Sequence, residues 1–138
     1  MISFRLVNSS DAPRILEWRN DPEQLKSKQK DKPFTEEESA ALTEKFKDSL
    51  YVAEIDGTPF GGIKISNRDG WVGLGWSVGP PFRGAGLGKR LAIAAAETFP
   101  GSKRALIRSE NIASIKCAVA AGYSMRGEKD GYEIWERE

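Results

Sequence analysis

Apolar and polar residues alternate from Ile2 to Val7, the period of a strand with one buried face. Asn8-Ser9-Ser10-Asp11 then offers helix caps, with Pro13 in the first turn behind them. That helix carries Ile15, Leu16 and Trp18 and is expected to end near Trp18-Arg19-Asn20-Asp21-Pro22, because Pro22 disfavours helical geometry at Asp21. Residues 26–32 hold four lysines and no apolar side chain, and read as an exposed loop. Thr35-Glu36-Glu37-Glu38 is a capping-box pattern, and Leu42, Phe46 and Leu50 trace the helical stripe behind it, with the helix ending near Asp48. Strands are expected over 51–55 and 60–66 around the turn Asp56-Gly57-Thr58-Pro59, and a third follows Asn67-Arg68-Asp69-Gly70 with Trp71, Val72, Leu74, Trp76 and Val78. A helix over 87–99 stops at Pro100-Gly101, a short strand occupies 105–108, and a helix from Asn111 closes at Gly122. A terminal hairpin, 123–126 with 132–136, turns at Lys129-Asp130-Gly131. Early helices followed by a strand-helix-strand-helix passage predict an α/β fold, a mixed and mostly antiparallel sheet with helices on both faces.

The chain is organised around Pro80-Pro81-Phe82-Arg83-Gly84-Ala85-Gly86-Leu87-Gly88-Lys89-Arg90-Leu91, where a strand meets prolines and a glycine turn opens an alanine-rich helix. Glycines let backbone approach a ligand, and the first helical amides point unpaired toward it, so the pattern reads as an anion site. It is not a Walker loop, since Arg83 stands where the first glycine belongs and Arg90 where Ser or Thr should follow Lys89. A dinucleotide fingerprint begun at Gly84 and Gly86 would need a small residue at Lys89.

Composition narrows the chemistry. At 138 residues one domain is expected over 1–138. With 21 basic and 20 acidic residues the net charge is +1, so no global field draws the chain to nucleic acid or membrane. No window approaches the roughly 20 apolar residues of a membrane span, and a cytoplasmic location is expected. With no histidine, Ser-His-Asp and Cys-His nucleophile pairs cannot form, and no metal site is expected around the single cysteine. Cys117 reads either as a small buried residue or as an acyl-carrying nucleophile.

Arg83-x-x-Gly86-x-Gly88, with Trp76-Ser77-Val78 before it and Gly88-Lys89-Arg90-Leu91 after, resembles the coenzyme A pyrophosphate loop of the GNAT superfamily of N-acetyltransferases. Asn111-Ile112-Ala113-Ser114 followed by Gly122-Tyr123 resembles the later segment of the same superfamily, especially its ribosomal-protein and amino-sugar branches, and Trp18-Arg19-Asn20 resembles a segment of acetyltransferases of amino-sugar nucleotides. The resemblance implies acetyl-CoA as cosubstrate. It places Arg83, Gly84, Ala85, Gly86, Leu87, Gly88 and Lys89 at the pyrophosphate, Asn111 and Ser114 at the pantetheine arm, and Trp18, Arg19 and Asn20 at the acceptor. It also sets the lysine-rich segment 26–32 on the acceptor side, where its lysines would either be solvated surface or serve a phosphate-bearing substrate. The amide facing the thioester oxygen matches Val78, and preorganised amides of this kind are worth about 3 to 4 kcal/mol in other enzymes.

Two departures bear on the proton transfers. Many relatives carry a tyrosine seven places after the helix-opening asparagine, where this chain has Ala118, and many carry a glutamate on the strand before the loop, where residues 71–78 hold no acid. Glu110 is the acid nearest in sequence to the coenzyme-contacting helix and is the catalytic candidate, with Glu54 as another. The leading expectation is direct acetyl transfer to a primary amine of a small molecule, an amino-sugar nucleotide first. Protein N-terminal amines are the runner-up acceptor, and a silent acyl-CoA-binding module is the alternative from another class. A homodimer is a candidate assembly. An α-amine has a pKa near 7.8 and a lysine near 10.4, so neutral lysine costs roughly 3.5 kcal/mol more at pH 7, and a site lacking a strong base favours low-pKa amines.

Overall fold

The computed structural model describes residues 1–138. Its strands are β1 Ile2–Leu6, β2 Leu50–Ile55, β3 Thr58–Arg68, β4 Trp71–Val78, β5 Lys103–Arg108, β6 Ser124–Lys129 and β7 Tyr132–Arg137. They form one sheet in the order β1-β2-β3-β4-β5-β7-β6. Every pairing is antiparallel except β4 with β5. The helices are α1 Ala12–Arg19, α2 Pro22–Ser27, α3 Glu36–Phe46, α4 Leu87–Thr98 and α5 Ile112–Ala120.

Three hairpins turn on Asp-Gly pairs. Asp56-Gly57, Asp69-Gly70 and Asp130-Gly131 all have both φ values positive, between 50° and 82°, the geometry whose twist matches that of the flanking strands. Thr35 caps α3 as its sequence pattern predicts, accepting from Glu38 N–H while the Glu38 side chain accepts from Thr35 N–H.

The expected loop over 26–32 needs correction at its start. Asp21 accepts from Gln24 N–H and Pro22 occupies the first turn, so Pro22 both ends α1 and begins α2, which carries Lys26 on its last turn. The missing N–H of a proline costs nothing at that position, and its fixed φ suits it.

The sheet separates two kinds of surface. Ala53, Phe60, Ile63 and Leu74 pack with Leu91 and Ala95 of α4, while Ala105, Ile107 and Trp135 pack with Ala92 and Ala96 of α4 and Cys117 and Ala118 of α5. On the opposite face of the central strands stand Gly62, Lys64, Gly75 and Ser77, since directly paired residues share a face and Gly62 pairs with Ser77 and Lys64 with Gly75. Helix α1 stands over the end of that face, with Trp18 against Gly79 and a basin between the helix and the strands, and α3 packs on α1.

Candidate active site

β4 and β5 pair only at Val72 with Lys103 and Gly73 with Arg104, and beyond these pairs the two strands diverge. The ladder on the other side of β4 fixes where its amides point. Gly79 N–H donates to Phe60 O at 2.7 Å, and the register continues through Gly61 with Val78 and Gly62 with Ser77. Alternate pairs exchange bonds in an antiparallel ladder, so Val78 and Trp76 aim their N–H groups away from β3 and toward the gap. Val72, four and six residues earlier in the same phase, confirms the direction: its N–H reaches Ser102 O at 2.7 Å on the β5 side.

The gap opens into a cleft of about 900 Å³ between the glycine loop, α2 and the start of α5. Arg83, Gly84, Gly86, Leu87, Gly88 and Lys89 line it from one side. Gly84 and Gly86 have φ of 84° and 75°, and no atom lies within 4 Å of where a Cβ would stand on either, so the loop presents bare backbone. Gly86 is the N-cap of α4 and makes no side-chain cap bond. The first amides of this 12-residue helix therefore face the cleft with the positive end of its dipole behind them. Asn111, Ser114 and Glu110 line the opposite wall, where the Asn111 side chain caps α5 by accepting from Ser114 N–H at 3.2 Å. Ala85 belongs to the loop without lining the cleft.

Two of these residues have partners that sequence does not disclose. Arg83 donates to Asp21 at 2.9 Å and Glu23 at 3.2 Å, tying the loop to the start of α2. Glu110 is exposed and lies 3.6 Å from Arg108. Cys117 lines the cleft beneath Gly88, and burial pushes its thiol pKa up, with Lys89 opposing. A thiol held protonated is a poor nucleophile.

Val78 is also shared with a second basin, of about 320 Å³, beneath α1 and over the bare strand face. Gln24, Trp76, Ser77 and Val78 line both spaces, which therefore meet at the end of β4. Trp18 and Arg19 line the second basin, and Asn20 lines neither. Asn20 instead braces the chain entering α3, donating to Phe34 O at 3.0 Å and accepting from Phe34 N–H at 2.6 Å. Arg19 anchors α1 to α3 through Nη1, which donates to Ser39 O, Ser39 Oγ and Thr43 Oγ1 at 2.6, 2.8 and 2.9 Å. Sequence reasoning passed over Gln24 and Lys64, both on this basin. The signal for Lys64 was available in the alternation of β3, where Gly62 and Lys64 form the face opposite to that of Gly61 and Ile63.

The family model for the acetyltransferase (GNAT) domain matches residues 2–124. The chain belongs to the GNAT acetyltransferases. Among solved structures, the aminoglycoside acetyltransferase AAC(6')-Ib in complex with coenzyme A superposes with a TM-score of 0.80 at 18% identity, over 99% of this chain and 93% of that one. A GNAT-family acetyltransferase from Bacillus anthracis gives 0.81 at 17% identity, over 98% and 92%. The spermidine N-acetyltransferase from Vibrio cholerae, in complex with CoA and spermine, gives 0.77 at 14% identity, over 98% and 92%. No curated protein sequence matches the chain.

This GNAT chain is thus an acetyl-CoA-dependent N-acetyltransferase, and its cleft fits the coenzyme on two counts. Bare loop backbone and unpaired helix amides suit a pyrophosphate, and the unpaired edges of β4 and β5 suit an extended amide-bearing arm. Acetyl-CoA supplies a thioester carbonyl carbon for an amine to attack. Val78 N–H points into the gap between β4 and β5, and Gln24 and Ser77 line both spaces beside it.

Proposed function

We propose that this acetyltransferase passes acetyl directly to the amine of an amino-sugar nucleotide, without a covalent enzyme intermediate. The observation that carries the reading is the meeting of the two spaces at Ser77 and Val78 in a basin whose lining contains no carboxylate. No acidic side chain there can take a proton from a lysine-like ammonium, so the acceptor must supply much of its own neutral fraction near pH 7. Sugar amines do, and Trp18-Arg19-Asn20 and the Asn111 segment resemble branches that act on amino sugars and on protein N-termini.

Direct transfer has two supports. Burial raises the pKa of Cys117, the lone thiol, and Val78 lies where both substrates would converge. Val78, Arg83, the 84–89 loop, Asn111 and Ser114 are proposed to hold the coenzyme, Trp18 to wall the acceptor, and Arg19 and Asn20 to position α1 and α3 around it. Glu110, across the coenzyme cleft from the basin, is assigned at most a water-mediated relay.

Release of free thiol from acetyl-CoA, measured against a UDP-linked amino sugar, an N-terminal peptide, free lysine and spermine, tests the reading. The expected order puts the nucleotide sugar first, with kcat/KM rising through the acceptor's own pKa. Preferential acetylation of lysine or spermine at pH 7, or a stoichiometric acetyl adduct on Cys117 without acceptor, overturns it.

A further inference from the structure

The acceptor basin is charged in one sense. Of the 20 residues lining it, the ionisable cations are Arg14, Arg19, Lys28 and Lys64, and no Asp or Glu lines it. In a chain with 21 basic and 20 acidic residues this is a local separation of charge. Arg14 is neutralised by Asp11. The other three have no carboxylate within ion-pairing distance, because none of them takes part in the salt bridges of the protein.

These three cations also crowd one another. Burial lowers the pKa of Lys28, and the charges of Arg19 and Lys64 lower it further. Burial likewise lowers that of Lys64, with Lys45 and Arg19 adding to it. Arg19 spends only Nη1 on neutral oxygens of Ser39 and Thr43, and burial lowers its pKa too. The ammonium of Lys64 rests 3.6 Å from the Phe46 ring centroid, a contact that fixes its position without cancelling its charge. Like charges desolvated together and left unpaired cost stability. An anion bound among them would reverse that cost.

We propose that Lys28, Lys64 and the free edge of Arg19 form a phosphate subsite for the acceptor, so that the enzyme takes phosphorylated amines and excludes polycationic ones. The inference rests on the reading of this basin as the acceptor site. Its chemistry separates the chain from the fold relative whose structure holds spermine, since a polyamine would meet three cations and no carboxylate. Lysines act here as point charges, while the Arg19 edge adds oriented donors.

Inorganic pyrophosphate titrated calorimetrically into protein saturated with CoA tests the subsite separately from catalysis, because CoA then fills the glycine loop. Saturable binding is expected, weakened about tenfold or more by Lys28→Gln or Lys64→Gln, with little change in Lys45→Gln, which removes an equal charge outside the basin. Absence of saturable binding, or an equal loss in all three variants, overturns the subsite. In the thiol-release assay the same two substitutions should lower kcat/KM for a UDP-linked amino sugar by a similar factor and leave an unphosphorylated amino sugar nearly unchanged. Equal losses on both sugars overturn it as well. If pyrophosphate binds as expected but no nucleotide sugar is turned over, the subsite stands and the proposed acceptor falls.

Discussion

The indole of Trp18 lies directly on Gly79, so closely that a Cβ there would stand 2.5 Å from Cζ2. Gly79 is the residue after Val78, and its N–H closes the β4 ladder on Phe60 O. The contact therefore couples a wall of the proposed acceptor basin to the amide proposed to face the thioester. Gly79→Ala should destabilise the fold by about 1 to 3 kcal/mol through overpacking and lower kcat by displacing Val78, with CoA affinity little changed. Thermal unfolding, calorimetry with CoA and steady-state rates check the three parts.

Gly88 and Cys117 form a second tight pair, with a Cβ at position 88 falling 3.0 Å from Sγ. Alanine is a better helix former than glycine by about 1 kcal/mol, so the sign of Gly88→Ala depends on whether the thiol can retreat. We expect Gly88→Ala alone to destabilise and the same change in a Cys117→Ala background to be neutral or stabilising. A double-mutant cycle of melting curves should give a coupling of about 0.5 kcal/mol or more; simple additivity would place the thiol elsewhere.

Arg83 has prior partners in Asp21 and Glu23, with which a coenzyme phosphate held by Arg83, as proposed, would compete. Glu23→Gln should raise CoA affinity by a few-fold at low salt and by less at high salt, where exposed ion pairs are screened. That gain should vanish in an Arg83→Gln background. Persistence of the gain there would mean that Glu23 acts on the phosphates at long range and not through Arg83.

Acid should loosen the start of the chain first. Asp11 is buried and bonds Arg5 through both carboxylate oxygens at 2.8 Å, with Arg14 and Asn8 N–H as further donors. The Arg5 bond chiefly, helped by those donors, holds its pKa far below the usual carboxylate range. A carboxyl with a depressed folded pKa contributes its stability above the unfolded value, near 3.9, and loses it as pH falls through the folded one. Stability should therefore be level in this respect above about pH 5 and decline below about pH 4. Asp11→Asn should cost about 3 kcal/mol at pH 7 and flatten that decline in chemical-denaturation midpoints.

The sheet, its three Asp-Gly hairpins and the two late helices were legible in the sequence because each is set by local chemistry: alternation, positive-φ turn residues, caps and the glycine loop. Pro22 misled because the same ring can end one helix and start the next, and only the Asp21 cap decides for α2. The bare glycine loop and the cleft along it follow, like the turns, from consecutive backbone. The lysines of 26–32 and the Trp18-Arg19-Asn20 motif already marked one side of the proposed acceptor basin. Lys64 carries no such mark: it comes from β3, and its meeting with Lys28 and Arg19 follows from long-range packing that no single segment encodes. Arg19 and Asn20 were found as a motif, but their bonds to Ser39, Thr43 and Phe34 connect positions at least 14 apart in the chain.

The brief contact between β4 and β5 means that the sheet is joined across its middle by two residue pairs. Beyond them each strand offers an unpaired edge, and a coenzyme arm bound there, as proposed, would act as a missing strand as well as a reactant. A ligand that binds only the folded state stabilises it by about 2.7 kcal/mol at a hundred times its Kd, and here that energy falls on the seam between the two halves. Resistance to heat and to proteolysis would then rise with the concentration of acetyl-CoA.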